Sequence, residues 1–407
     1  MKGSARVLVL AAMVNSMGTG LFLAGAVLIY TSYLNIPLAV VGSGLAVAAV
    51  VGMVGSVPLA RQADRFGAVR TLSALYLGLG VIYSTYLLID TMLSFVVAVS
   101  AATVMIRAVP PINQAVAGAI VNGVDRSTTL ATMRATRNAG SMVGSATAGL
   151  VIAVAGTNGY LIMLLGNSVS YLICGVLIFR LRKLEVPAPK ATAPVTPALR
   201  NVRYLMLGLA NGALGLHATM MIIALPLWVA MRSDVPKAFI PGIITVGALL
   251  VVILQVPLSR KIDAIAPARS AVTKATIALS VSCVLTALLA GANGPVLGTA
   301  LLLTTITTLT LGEIYQTSSA WVVSHDLAPE CRRSEYIATF SLGNSLQQIV
   351  GPPLFTVVII EAGDIGWLLL AVGFAVAGTI YRYGLSRLAP TSQTVRSAES
   401  AHESEKA

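Results

Sequence analysis

The chain has 407 residues, of which 56% are hydrophobic and only 10% charged, and its mean hydropathy is +0.85. Soluble domains carry about a quarter charged residues, so this composition excludes a soluble globular fold and makes the bilayer the natural solvent. A net charge of +12 would suit a nucleic-acid binder, but the placement of the basic residues argues against that.

Uncharged runs of roughly 18 residues or more mark the membrane spans. Lys2 and Arg6 precede a run at 7–34, which is too long for a signal-peptide core and reads as span one. Span two is 38–60, span three 71–89, and span four 92–122, with Arg107 inside it. The uncharged stretch 138–179 turns at Gly156-Thr157-Asn158-Gly159 and makes spans five and six. Residues 180–203 hold six basic residues and prolines 187, 189, 194 and 197, so a polar linker is expected there. Beyond it come span seven at 204–231 and span eight at 238–259. Spans nine and ten meet at the Gly291-Ala292-Asn293-Gly294-Pro295 break, and ten includes Glu313. Span eleven is 336–360 and span twelve 365–381. The expected organisation is a six-helix bundle at 1–181, a linker at 182–203, a second six-helix bundle at 204–389 and a polar, disordered tail at 390–407.

With both termini and the even-numbered loops on the cytoplasmic side, 24 of the 27 basic residues face the cytoplasm; Arg232 and Lys237 lie outside and Arg107 lies within a span. This positive-inside bias accounts for the basic pI without nucleic acid. Cys174, Cys283 and Cys331 form neither a disulfide framework nor a metal motif. No Gly-x-x-x-x-Gly-Lys-Ser/Thr segment, catalytic triad or His-rich cluster is present, so neither an enzyme nor a cofactor is expected.

The loop after span two begins Val57-Pro58-Leu59-Ala60-Arg61 and contains Asp64 and Arg70. The loop after span eight begins Val256-Pro257-Leu258-Ser259-Arg260 and contains Asp263 and Arg269 at a constant offset of 199. Apolar runs alone cannot generate matched Pro, Arg and Asp, so the halves are repeats of six spans with the same orientation. Asp125-Arg126-Ser127 before span five resembles Arg332-Arg333-Ser334 before span eleven.

The segment Ala60-Arg61-Gln62-Ala63-Asp64-Arg65-Phe66-Gly67-Ala68-Val69-Arg70 resembles the loop signature of the major facilitator superfamily between its spans two and three. Asp64, Arg65 and Gly67 match; Ala60 stands where the signature has Gly. The resemblance implies an all-α membrane protein of twelve transmembrane helices in two pseudo-symmetric bundles, working by alternating access. The spans lining its cavity would be one, four, seven and ten. Span four keeps only Arg107 of an Arg-x-x-Gln-Gly pattern. Span five keeps Gly140, Gly144 and Gly149 of an exporter pattern, with Ser145 and Ala148 replacing a Pro and a Gly. Small residues at such spacing also serve close helix packing.

Charges deep in a membrane are costly and serve function or a buried pair. Arg107 and Glu313 occupy nearly equivalent places in the two halves. Glu313 is the candidate proton-coupling carboxylate, with Arg107 as switching partner or as a ligand for an anionic substrate; a static packing pair is the alternative. Candidate substrate contacts are Asn15, Asn113, Gln114, His217, Tyr315 and Gln347, though polar residues in spans also bond between helices. Asp64, Arg65, Gly67, Arg70 and Asp263 read either as a topology-setting loop or as a conformational latch in which Asp64 faces a helix N-terminus. Pro110-Pro111 removes two backbone donors, so a kink or local unwinding is expected after Arg107. Arg134 and Arg137 read as gate or headgroup contacts.

The expectation is a monomeric carrier of the cytoplasmic membrane, contacting lipid, a small-molecule substrate and protons, and exporting by antiport. An importer or uniporter of the same fold, or a non-transporting receptor or scaffold, is the alternative.

Overall fold

The computed structural model describes residues 3–120, 124–156, 158–184, 195–233, 235–236, 239–357 and 361–404. Asn122, Thr157, Lys237, Ala238 and prolines 187, 189 and 194 of the expected linker lie outside the described residues, as do the side chains of Asp125, Arg126 and Ser127.

The structure is all-α. In chain order the long helices are α1 (Gly3–Tyr33), α2 (Leu38–Phe66), α3 (Ala68–Thr85), α4 (Met92–Ile120), α5 (Val124–Ala155) and α6 (Asn158–Phe179). There follow α7 (Val202–Arg232), α8 (Ile240–Ser259), α9 (Ile265–Leu289), α10 (Pro295–Asp326), α11 (Arg333–Val357) and α12 (Gly363–Ser404). Among the described residues, eleven helical stretches are long and apolar enough to cross a bilayer. The twelfth helix, α11, carries Asn344, Gln347, Gln348, Pro352 and Pro353, which dilute its hydropathy. The last helix runs on through Ser404, across the stretch that the sequence assigns to a disordered tail.

The chain divides into two compact units. The first is Met1–Pro194 with Glu330–Ala338, and the second is Val195–Pro329 with Thr339–Ala407. The break near residue 194 falls within the proline-rich stretch. The transfer of Glu330–Ala338 to the first unit is not visible in the hydropathy pattern.

Within each unit the same packing scheme recurs. In the first, α1 packs on α5 and α6, α2 on α4, and α3 on α6. In the second, α7 packs on α12, α8 on α10, and α9 on α12. The α1–α5 pair is held at backbone distance by glycines: a Cβ on Gly140 would meet the Met13 carbonyl at 2.9 Å, and one on Gly144 would strike the Met17 carbonyl. The matching α7–α11 pair uses Gly208, Gly212 and Gly343 in the same way. Such small-residue contacts replace the hydrophobic driving force that lipid removes. Gly149, by contrast, faces open space.

The first unit collects its aromatic residues into a buried cluster: Phe22 and Tyr83 meet edge-on at 4.9 Å, Tyr30 and Phe95 at 5.1 Å, and Tyr83 stacks on Tyr171 at 5.4 Å. The second unit uses Trp228 against Trp367 at 5.7 Å, with the Trp228 Nε1–H donating to the Thr286 carbonyl at 2.9 Å. Each ring brings a large buried surface and a preference for tilted contact.

The two repeated loops differ in how they turn. In the first unit α2 runs to Phe66 and turns at Gly67, whose φ of 102° belongs to glycine. The position 199 residues later is Ala266, which disfavours that conformation, and α8 ends earlier, at Ser259.

Candidate functional site

In the first unit, three side chains from the sequence-predicted set lie on α1 and α4 with buried polar atoms unmatched. Asn15 Oδ1, Asn113 Oδ1 and Arg107 Nε are buried without a hydrogen-bond partner among the described residues. Gln114 is half-buried on α4. Arg107 is half-buried, and its aliphatic stem crosses α2 at Gly52, where a Cβ would meet its Cδ at 3.0 Å. The missing side chain at Gly52 is therefore what admits the arginine. The α4 helix continues unbroken through Pro110 and Pro111, so the unwinding expected there does not occur. The two prolines still withhold the N–H groups that would meet the carbonyls of Ile106 and Arg107.

The departures from regular α-helix lie elsewhere. The α7 helix is interrupted after Leu214, resumes at His217–Thr219, and passes through a π-helical turn at Met220–Ala224. Such turns occur often at functional sites. His217 sits at this interruption, which its lone position in the sequence did not reveal.

The second unit pairs its polar side chains. Gln316 of α10 donates through Nε2 to Asn211 Oδ1 at 2.7 Å, and its Oε1 lies 3.3 Å from His217 Nε2. Asn211 Nδ2 donates to Asn344 Oδ1 of α11 at 3.3 Å. Gln347 Nε2 donates to Thr219 Oγ1 at 2.7 Å. Asn211, His217, Gln316, Gln347 and Thr219 are all buried. The network ties the interrupted part of α7 to α10 and α11 and brings His217 and Gln347 of the predicted set to one region. Gln316, Asn211 and Asn344 complete it. Gln316 falls one turn after Glu313 on α10, a spacing that could have flagged it from the sequence.

Glu313 is half-buried, and its backbone carbonyl accepts from Thr317 Oγ1 at 2.7 Å. Tyr315 is half-buried, with Lys274 Nζ 5.4 Å from its ring centroid.

The loop residues divide. Asp64 accepts from the backbone N–H groups of Ser334 and Glu335, each at 2.8 Å, at the first turn of α11. A carboxylate on two free N–H groups at the positive end of a helix is a charge-assisted contact. Buried Glu335 in turn lies 3.3 Å from Arg332 Nη1 and 3.9 Å from Arg61 Nε. All of these residues belong to the first unit. Arg65 is exposed with its guanidinium 5.3 Å from the Phe66 centroid, and Arg70 is exposed on the first turn of α3. Asp263, the repeat counterpart of Asp64, is exposed and makes no such cap among the described residues. Among those residues no group of three or more His, Cys, Asp or Glu side chains is placed to hold a metal.

The model of the family described as the Major Facilitator Superfamily matches residues 8–352. The chain belongs to the major facilitator superfamily. It is a multi-pass membrane transporter of that superfamily. No curated protein matches the chain in sequence. Its fold is similar to that of a bacterial homologue of the iron transporter ferroportin, with a TM-score of 0.73 at 14% identity, covering 95% of this chain and 99% of that one. The human organic anion transporter MFSD10 aligns with a TM-score of 0.65 at 14% identity, over 94% and 100% of the two chains. The proton:xylose symporter XylE gives 0.61 at 11% identity, over 92% and 94%. Identities this low speak for the superfamily fold and not for a shared substrate.

Proposed function

We propose that this superfamily member is a secondary active transporter of the cytoplasmic membrane, exporting a small molecule in exchange for protons by alternating access. The observation that carries the reading is Glu313, a half-buried carboxylate inside the membrane-spanning helix α10. A carboxylate at that depth is expensive unless it has work to do. A carboxylate that passes between a dry environment and a wetter or cationic one can take up and release a proton, which is what coupling requires. Arg107 supplies the second intramembrane charge, as switching partner or as a ligand for an anionic substrate. The hydrogen-bonded set around His217 and Gln347, with Asn15, Asn113, Gln114 and Tyr315, contributes polar contacts to the substrate. Neither half of the reading involves a cofactor or enzymatic chemistry.

The latch residues fit the same cycle. Asp64 on the N–H groups of Ser334 and Glu335 stabilises the arrangement in which 330–338 belongs to the first unit, and loss of that cap releases it. The positive-inside distribution of basic residues supports cytoplasmic termini.

The solved neighbours are described as transporters of iron, organic anions and xylose, so they do not choose the substrate. The test is a radiolabelled compound panel in proteoliposomes with an imposed pH gradient. Wild-type protein moves at least one compound against its gradient, and Glu313→Gln loses that uphill component. Unchanged gradient-driven accumulation in the variant would remove Glu313 from coupling, and no flux for any compound would favour a receptor or scaffold.

A further inference from the structure

We infer that the transported substrate is a small organic anion whose carboxylate is held by Arg107 on the α4 face of the first unit. This rests on the transport reading above and names the chemistry of its ligand.

The argument begins with charge. Between Gly3 and Leu184 the acidic residues are Asp64, Asp90 and Asp125, and no others. Asp64 closes α2, Asp90 lies between α3 and α4, and Asp125 is the second residue of α5. The interiors of helices α1 to α6 therefore contain no carboxylate, whereas Arg107 stands near the middle of the 29-residue α4. An arginine cannot discharge itself by losing its proton at ordinary pH. A half-buried cation without a protein counter-charge is costly to hold inside a membrane-spanning helix.

Geometry adds a second, independent point. Arg107 Nε is buried without a hydrogen-bond partner among the described residues, and none of the ion pairs among them includes Arg107. Ser100, two turns earlier on the same face of α4, also has a buried hydroxyl without a partner. Thr103 lies between them, its hydroxyl committed to the Val99 carbonyl at 2.7 Å. Gly52 of α2 leaves room beside both Thr103 and Arg107. Donors left idle at a buried site are matched by a ligand that supplies acceptors. The guanidinium fork meets a carboxylate with two parallel N–H···O bonds, and the Ser100 hydroxyl adds a donor along the same stripe.

A lipid phosphate offers similar acceptors, but depth disfavours it. From Arg107 to either end of α4 is roughly 20 Å at 1.5 Å per residue, whereas headgroups begin about 15 Å from the bilayer centre. A mobile solute reaches that depth through a cavity; a headgroup does not.

The experiment compares matched pairs on the purified full chain by thermal unfolding: benzoate with benzamide, and lactate with lactamide, at constant ionic strength. Parallel samples are held in phosphatidylcholine nanodiscs with or without phosphatidylglycerol. The expected result is a dose-dependent rise in midpoint with the carboxylates and none with the amides, lost in Arg107→Gln and reduced at least tenfold in affinity in Arg107→Lys, which keeps charge but loses the fork. Arg107→Lys also serves where Arg107→Gln fails to fold. Equal stabilisation by acid and amide, or carboxylate stabilisation retained in Arg107→Gln, overturns the inference. So does a response to phosphatidylglycerol alone, which assigns Arg107 to lipid, or no response to any anion, which means a protein carboxylate already neutralises it. Carboxylate binding without pH-driven flux leaves the anion site standing and fails the transport reading instead.

Discussion

The two units of one repeat differ in how several of their intramembrane amides are satisfied. In the first, Asn15, Asn113 and Asn167 each bury an amide oxygen without a partner. In the second, Asn211, Gln316 and Gln347 bond to His217, Asn344 and Thr219, and only Gln255 is half-engaged, with Nε2 3.5 Å from Ser318 Oγ and Oε1 unmatched. An unmade hydrogen bond in a low-dielectric interior costs about 1–3 kcal/mol. The second unit thus ties the amides around the interrupted part of α7 into a network, while these three amide oxygens of the first unit have no partner among the described residues. Sequence similarity between the halves does not extend to how their polar groups are satisfied.

The largest expected effect tests what the units share. Gly212→Val drives a branched side chain into the Gly343 backbone and is expected to abolish recovery of folded protein, as a severe case of overpacking. Gly149→Ala, one of the span-five glycines but facing open space, is expected to leave yield and midpoint unchanged. Size-exclusion profiles in detergent distinguish the two, and equal damage from both would mean that the glycine pattern acts through something other than helix approach.

Next is the latch, present in one loop of the repeat and absent from the other. Asp64→Ala removes two charge-assisted bonds, and a loss of about 1.4–2.8 kcal/mol is a shift of 10- to 100-fold. Maleimide labelling of Cys331, which is part-exposed beside the cap while Cys174 and Cys283 are buried, reads this as faster modification. Asp263→Ala, at the uncapped counterpart, leaves the rate unchanged.

A smaller effect separates the amide sets. Gln316→Leu removes the donor to buried Asn211 Oδ1 and is expected to cost about 1–3 kcal/mol, read as a lower unfolding midpoint. Asn113→Leu replaces an already unmatched oxygen and is expected to be neutral or stabilising. Equal losses would erase the contrast between the units.

Much of this architecture is legible in the sequence because bilayers impose it. Charge-free runs, the Val-Pro-Leu-x-Arg-x-x-Asp repeat and the loop signature around Gly67 give twelve helices in two bundles. The expectation that Asp64 meets a helix N-terminus follows from chemistry, but its partners, Ser334 and Glu335, are about 270 residues away and invisible to local pattern. Of the kink or local unwinding expected at Pro110-Pro111 the unwinding is absent, because a helix can pass through prolines when neighbours support it, whereas α7 departs from regularity near Gly215 without a proline at the break. His217 reads as isolated in sequence because its partner Gln316 comes from another helix.

The most direct test of the central claim is proton movement. Proteoliposomes loaded with pyranine and given an inside-acid gradient are presented with each compound that the protein exchanges, with protein-free liposomes as control. Wild-type protein should dissipate the gradient only when the compound is present. Glu313→Gln should leave it intact while substrate-for-substrate exchange continues. Equal proton flux in the variant would contradict the account.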